Sequence, residues 1–440
     1  MYSGGKWHTA PVFRRDDLAL EKSVIGPAIL LDETTTTIVE PGWQAVLEAN
    51  ADLVLTRSIS RPRRQEVGTE VDPVLLEVFN NLFMSVAEQM GVVLERTAHS
   101  VNMKERLDFS CAVFDAQGNL IANAPHMPVH LGSMGESVKA VITSLGDDLD
   151  PGDAVMMNDP FNGGTHLPDV TVVTPVRLDD SGKPDFFIAS RGHHADIGGI
   201  APGSMPSASN TIEEEGVLIP PMKIVAGGRF EEEEVRTCLM SGRYPACNPD
   251  QNIADLKAQL AANEKGVAEV KRLVGEFGRD TVAAYMEHVR ANAKEFVHRV
   301  IDRLVDGTAT YAMDCGAVIR VSIRIDRATR RATIDFTGTS TQHAGNFNAP
   351  TAITRAAVLY VFRCLVGEDI PLNDGCLEPL KIILPAGSIL DPEQGAAVVA
   401  GNVETSQAIT NALFLATGVL AAAQGTMNNL TFGNARLQYY

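Results

Sequence analysis

The sequence predicts a mixed α/β (α+β) enzyme domain built in several layers, preceded by a small β-rich module. Three observations lead there. Residues 1–57 hold only short β-branched or apolar runs separated by turn residues. From Asp72 a stripe with a 3.6-residue period runs for about six helical turns. Beyond Asp306-Gly307 the pattern changes to strands that alternate in the period-2 manner.

Within the first module the runs are Ala28 to Leu31, Thr35 to Val39, Gln44 to Leu47 and Asp52 to Leu55, separated by Asp-Glu, Pro-Gly and Asn-Ala-Asp turns. A unit this small has too little interior to stand alone, so it packs on the rest of the chain or on a partner. Residues 58–71, polar and basic with Pro62, read as a linker, and residues 72–440 as the main domain. Asp72 caps the first long helix and Pro73 fits its first position, with Leu75, Phe79, Phe83, Val86, Met90 and Leu94 forming its core stripe.

Ser110 to Phe114 and Leu120 to Ala122 read as a hairpin around Asp115–Asn119. Ser133 to Leu145 is a helix, and Ala154 to Met157 a strand. Residues 201–221, rich in Gly, Pro, Ser and acid, form either a lid or substrate-contact segment or a solvated loop. Acidic Glu231 to Glu234 open the next helical region. The helix over 252–274 carries Asp255, Gln259 and Asn263 on one face, turned to a pocket or to water. Arg279 to Leu304 is a further helix. Thr308 to Tyr311, Val318 to Ile325 and Ala332 to Phe336 are strands. Thr351 to Leu365 and the apolar run from Ala408 to Ala423 are buried helices.

Chemistry concentrates in Asn158-Asp159-Pro160-Phe161-Asn162-Gly163-Gly164-Thr165-His166-Leu167-Pro168-Asp169, which reads as a flexible Gly-Gly hinge running into the strand Val170 to Val176. A second cluster, Arg191-Gly192-His193-His194-Ala195-Asp196, follows the strand Phe186 to Ala189. A lone loop histidine is ordinarily a hydrogen-bonded structural residue. Two strand-flanking loops, each with His and Asp, instead offer three or four ligands to one divalent ion. Imidazole with carboxylate suits Zn, Mn or Fe, and such an open site leaves room for water. His126 and His130 are a further possible ligand pair, but Pro128 between them argues against one helical face, and lining a pocket suits them better than binding a metal.

The balance of 55 acidic against 37 basic residues, a net charge of -18, argues against a nucleic-acid or anionic-membrane surface. Six scattered cysteines without a close CxxC pair fit a reducing compartment, and no signal peptide or run of about 18 uncharged apolar residues appears, so a cytoplasmic enzyme is expected. The chain has neither a GxxxxGK[ST] phosphate loop nor a GxSxG elbow.

NDPFNGGTHLPDVTVVTPV, SRGHHADIGG, DLKAQLAAN, DFTGTS and GNVETSQ together resemble the hydantoinase B/oxoprolinase family over residues 72–440. ERTAHSVNMKERLDFSCAVFDAQGNLIANAPHMPVHLG is most similar to the ATP-dependent 5-oxoprolinase branch, while GPAILLDETTTTIVEPGW in residues 1–57 resembles the tail of the hydantoinase A half. On that resemblance the chain is a fragment, lacking most of the A-like half and the C-terminal end of the B-like half. The resemblance implies opening of a cyclic amide, 5-oxo-L-proline to L-glutamate, by a metal-activated water, with ATP bound mainly by the hydantoinase A-like half, in a homo-oligomeric assembly. The related acetone and acetophenone carboxylases carry the divalent metal over to His166, Asp169 and His193. Asp159 and Asp196 then orient the imidazoles or serve as alternate ligands, His194 and His126 are acid–base candidates, and Asn402 and Glu404 substrate-binding candidates. Carboxylase or N-methylhydantoinase chemistry, and a noncatalytic assembly subunit, are the competing expectations.

Overall fold

The computed structural model describes residues 1–3, 5–59, 68–124, 126–179, 182–367, 370, 372–422, 425, 432–433 and 438–439. They form two units, Met1–Gly68 and Thr69–Tyr440. Much of the linker expected over 58–71, and the 434–437 part of the chain end, lie outside the described residues.

The first unit is all β apart from one 3-10 turn. Val12–Arg14, Ala28–Leu31 and Thr36–Val39 make one three-stranded sheet, and Ser23–Ile25, Trp43–Leu47 and Leu53–Arg57 another. Ala28, Leu30, Val39 and Ala45 form its small core.

In the second unit the first helix, α1 (Pro73–Thr97), begins as its sequence dictates: the Asp72 carboxylate accepts from the amides of Val74 and Leu75, each at 2.9 Å. Strands β1 (Phe109–Asp115) and β2 (Leu120–Asn123) form the hairpin, and helix α2 spans Pro128–Leu145. Then come β3 (Ala154–Met157), β4 (Asp169–Val176), β5 (Phe186–His193), β6 (Met222–Ala226) and β7 (Arg229–Phe230). These seven strands form one antiparallel sheet in the order β2-β1-β5-β4-β3-β6-β7.

Every residue of β4 and β5 is buried, because helices cover both faces of the sheet. On one face Val173, Phe187 and Ala189 meet Met134, Val138 and Val141 of α2. On the other, Val170 and Val172 meet Ile253 and Leu256 of α3 (Pro249–Phe277). Each large side chain so enclosed contributes about 1.5–3 kcal/mol.

The polar row of α3 faces neither a pocket nor water. Asp255 Oδ1 accepts from the amides of His99 (2.7 Å) and Ser100 (3.1 Å), Gln259 Nε2 donates to Val170 O (3.0 Å) and Ser190 O (3.2 Å), and Asn263 Nδ2 donates to Val172 O (3.0 Å). The row is a set of polar clamps between helix and sheet.

A second layer follows. Helix α4 (Arg279–Arg303) leads to β8 (Gly307–Ala312), β9 (Val318–Asp326) and β10 (Arg331–Asp335), joined by β11 (Leu380–Ile383), which pairs parallel to β10. Helices α5 (Thr351–Val366) and α6 (Ser406–Thr417) share its core through Ile353, Val358, Phe362, Ile409 and Leu413. Helix α6 stops at Gly418, short of the Ala423 expected from the apolar run, with Gly418 in the left-handed conformation that ends many helices. The two layers meet where α2 crosses α5: a Cβ at Gly132 would lie 2.4 Å from Ala356 Cα, so only glycine permits this approach.

Residues 201–221 are not a solvated loop, and Met205 among them lines the cavity described below. Ile212, Val217 and Ile219 are core residues, and the buried Glu215 carboxylate accepts from Ser209 Oγ (2.8 Å) and from the amides of Val398 (3.0 Å) and Val399 (3.1 Å). Burial pushes its carboxyl up to about 7 against the pull of those donors. Among the described residues no helix is long and apolar enough to cross a membrane.

Candidate metal centre

The site is built from β4, β5 and the turn before them. Register sets Asp169 opposite His193, and the pleat sends both toward α2, together with Arg191 two residues earlier. His166 arrives by a tight turn in which the Asp169 amide donates to His166 O at 3.1 Å. The segment before it is held rigidly rather than hinged. Asn158 Nδ2 donates to Leu167 O (2.8 Å) and Val217 O (3.0 Å). A Cβ on Gly163 or Gly164 would fall 2.6 Å from Glu136 O or 2.4 Å from Asn158 O. These glycines serve close packing, and Gly163 also needs its positive φ of 88°.

His166 Nε2, His193 Nδ1 and Asp169 Oδ1 converge: the separations are 3.2 Å between the rings, 3.0 Å from His193 to Asp169 and 3.2 Å from His166 to Asp169. Atoms bound to one ion at about 2.1 Å and at right angles lie about 3.0 Å apart, so the spacing fits three neighbouring ligand positions. Three acceptor-type atoms turned on one point also need a proton or cation between them. The donor set, two imidazoles and a carboxylate, is that of a borderline divalent ion, and all three residues are buried.

A third histidine joins them. His130 Nε2 lies 3.2 Å from Asp169 Oδ2, with Nδ1 on Ser110 Oγ at 3.3 Å. Pro128 does not break this face; it is the first residue of α2, and His130 sits in its first turn. Thr165 Oγ1 donates to Asp169 Oδ2 at 2.8 Å. Burial alone would raise the Asp169 carboxyl, but His166 and His130 outweigh it and hold it well below the usual carboxylate range. Burial lowers His166, whereas for His193 the Asp169 hydrogen bond and the Asp108 charge overcome burial and raise it.

Beneath this cluster lies Arg191, fully enclosed. Its guanidinium donates to Thr171 Oγ1 (2.8 Å), Ser133 Oγ (2.5 Å) and Ser137 Oγ (2.7 Å), and burial brings it down to about 10. Sequence reasoning passed over it, although its period-2 relation to His193 marks it as sharing that face. Asp108 was also missed. Its side chain is 32% exposed, and its oxygens lie 4.0 Å from His130 Nε2 and from His193 Nδ1.

The centre opens into a cavity of about 520 Å³. Arg106, Asp108, His130, His166, Asp169 and His193 make one wall. Tyr360 of α5 with Asn402, Ser406, Gln407, Thr410 and Asn411 make the other, and Met127, Met205, Ala357 and Val403 lie among them. Asn402 reaches the cavity from a π-helical turn, Gly401–Thr405, that precedes α6, and its Oδ1 is buried without a partner.

The other expected residues sit elsewhere. His194 follows His193 and therefore faces α3, bonding Gln259 Oε1 (3.2 Å) and Asn252 Nδ2 (3.0 Å). His126 packs edge-on against Phe109 with Nδ1 accepting from the Cys111 amide, and burial, with His130 nearby, brings it down to about 4. Neither histidine lines the cavity, so neither has the geometry for proton transfer there. Asp159 caps a 3-10 turn by accepting from the Phe161 amide, and Asp196 accepts from the amides of Gly198 and Cys247; both are loop anchors. Glu404 is not among the cavity-lining residues either.

The hydantoinase B/oxoprolinase family model matches residues 72–440, and the hydantoinase/oxoprolinase C-terminal domain model residues 1–56. The chain is 43% identical to 5-oxoprolinase 1 of Arabidopsis thaliana, over all of this chain and 36% of that one. It is 44% identical to 5-oxoprolinase of Saccharomyces cerevisiae, over 98% of this chain and 35% of that one. It thus spans about a third of the length of these relatives. Among solved structures it is similar to an ATP-dependent caprolactamase from Pseudomonas jessenii, with a TM-score of 0.70 and 25% identity over 80% of this chain and 61% of that one.

Proposed function

The chain belongs to the hydantoinase B/oxoprolinase family, and on that premise we propose that it is the ring-opening part of an ATP-dependent 5-oxoprolinase, converting 5-oxo-L-proline to L-glutamate. The observation that carries this reading is the convergence of His166 Nε2, His193 Nδ1 and Asp169 Oδ1 at 3.0–3.2 Å on the wall of a cavity large enough for a small lactam. The names of the relatives, 5-oxoprolinases and a caprolactamase, supply the substrate class.

An unstrained lactam is a poor electrophile because amide resonance is lost on attack. Phosphorylating its oxygen with ATP makes the ring carbon reactive, and the hydantoinase A-like half is the source of that nucleotide site. In this chain His166, Asp169 and His193 would hold a divalent ion. Such an ion supplies Lewis acidity, polarising a carbonyl or phosphoryl oxygen and acidifying water. Asp169 stays ionised, its second oxygen fixed by Thr165 and His130. Asn402 Oδ1 accepts the lactam N–H, while Met127, Met205 and Val403 exclude water around the ring carbons. Asp108, the more open carboxylate, takes the proton from the attacking water and passes it to the ring nitrogen as the C–N bond breaks, which leaves an acyl phosphate that a second water hydrolyses to the carboxylate and inorganic phosphate.

The test is metal analysis of the purified chain, then reconstitution with a hydantoinase A-like half and measurement of ATP-dependent glutamate release. About one Zn, Mn or Fe per chain, with turnover, is expected, and both vanish in the double variant His166→Ala, Asp169→Ala. A folded wild-type chain with neither would remove the reading.

A further inference from the structure

Charge is distributed unevenly around the cavity. The wall formed by α5, α6 and the turn before it offers only uncharged amides and hydroxyls. Every ionisable lining group except the Tyr360 phenol belongs to the other wall, and among the residues that line the cavity Arg106 alone is a Lys or Arg.

The backbone at this point is unusual. Leu107, between Arg106 and Asp108, has φ 55°, in the left-handed region that a residue with a branched side chain rarely occupies. Its side chain is exposed. The turn is pinned on both sides: Asp108 N donates to Asn102 O at 2.9 Å, and His193 N donates to Asp108 O at 2.9 Å. The effect is to bring the charged side chains on either side of Leu107, Arg106 and Asp108, to one cavity, and backbone strain of this kind gathers at ligand-binding positions.

We infer that Arg106 is the specificity-determining residue of this cavity, binding the carboxylate of a carboxylated lactam. This inference rests on the ring-opening reading and names which lactams it applies to. A neutral lactam needs only the amide wall and the apolar lining. A lactam with a carboxylate beside its ring nitrogen brings an anion into a space already holding Asp108 and Asp169. A guanidinium fork, with two parallel N–H donors, is the group suited to receive it. With Asn402 on the ring N–H and Arg106 on the carboxylate, the ring is held at two points on opposite walls, which fixes its reacting carbon relative to His193 and Asp169.

Titration calorimetry of the 440-residue chain with 5-oxo-L-proline, with 2-pyrrolidone (the same ring without the carboxylate) and with inorganic phosphate tests this. Wild type is expected to bind 5-oxo-L-proline at least about tenfold more tightly than 2-pyrrolidone. Arg106→Gln abolishes that preference by weakening only the carboxylated ligand, and Arg106→Lys recovers part of it. Arg106 lies on the surface, and an unchanged affinity for 2-pyrrolidone in both variants reports an intact cavity. Equal binding of the two lactams by wild type, unaltered in Arg106→Gln, keeps the lactam reading and overturns the assignment. A loss confined to phosphate overturns it in favour of phosphoryl recognition. Failure of wild type to bind either lactam removes the assignment and the ring-opening reading together.

Discussion

On the face of β4 and β5 that meets α2, Asp169 and His193 turn toward an open cavity, with the enclosed Arg191 beneath them. On the face that meets α3, His194, Asn252, Gln259 and Asn263 make an equally polar row whose hydrogen bonds go to strand carbonyls and to one another. His193 and His194 are neighbours in sequence with the same chemistry. What separates them is the strand period of two, which sends one ring to the cavity and the next into the helix interface. Polarity within a core is therefore a poor sign of function until its partners are known. Side chains that spend their donors on backbone carbonyls have none left for a ligand.

The comparison breaks most sharply by substitution at the two histidines. His193→Ala is expected to lose bound metal and to reduce ATP-dependent lactam hydrolysis by more than the roughly 10–100-fold typical of removing an outer partner of a metal ligand. His194→Ala keeps its metal and loses stability instead, measured by elemental analysis beside denaturant unfolding. A His194→Ala chain without metal would erase the distinction between the faces.

Glu215, whose flanking Ile212 and Val217 pack with the α3 side of the sheet, gives the next effect. Burial raises its folded value from 4.5 to about 7, so between those pH values the folded chain keeps a proton that the unfolded chain has released. Stability therefore falls as pH rises through that window, by about 3 kcal/mol from this group. Glu215→Gln should flatten this part of the stability–pH curve, and an unchanged slope would show that another group causes it.

Gln259→Ala strips donors from two strand carbonyls and is expected to cost about 2 kcal/mol, read as a lower unfolding midpoint with metal content unchanged. The smallest effect belongs to the cavity wall opposite the metal centre. Asn402→Ala should raise KM for the lactam by about tenfold, near 1.4 kcal/mol, with kcat within a few fold, as for loss of one neutral hydrogen bond. A fall in kcat with KM unchanged would instead assign Asn402 to the reacting atoms.

Much of this was legible in the letters because it obeys local rules. The 3.6-residue stripe gave α1, its Asp72 cap and its Pro73. Two strand-end clusters pointed to a His and Asp ligand set, the resemblance to related carboxylases narrowed it to His166, Asp169 and His193, and the structure brings these three together. The illegible parts depend on what lies across a gap in sequence. The row Asp255, Gln259, Asn263 has the same spacing whether it faces water, a pocket or strand carbonyls. His130 was discounted because a proline two residues earlier reads as a breaker, whereas at the start of a helix it is an initiator. Arg106 and Asp108 sit at a turn whose left-handed leucine no pattern announces. β11 is four residues long, and its parallel pairing with β10 spans more than forty residues of chain.

The contact between Gly132 and Ala356 sets a caliper. Helix α2 brings His130 to one wall of the cavity and α5 brings Tyr360 to the other, and at their crossing the helices are separated by backbone rather than by side chains that could be trimmed. The spacing of these two helices is thus a property of two main chains, insensitive to rotamers. A methyl group added at 132 would act as a shim, forcing the two helices apart and widening the space between His130 and Tyr360 without altering either residue.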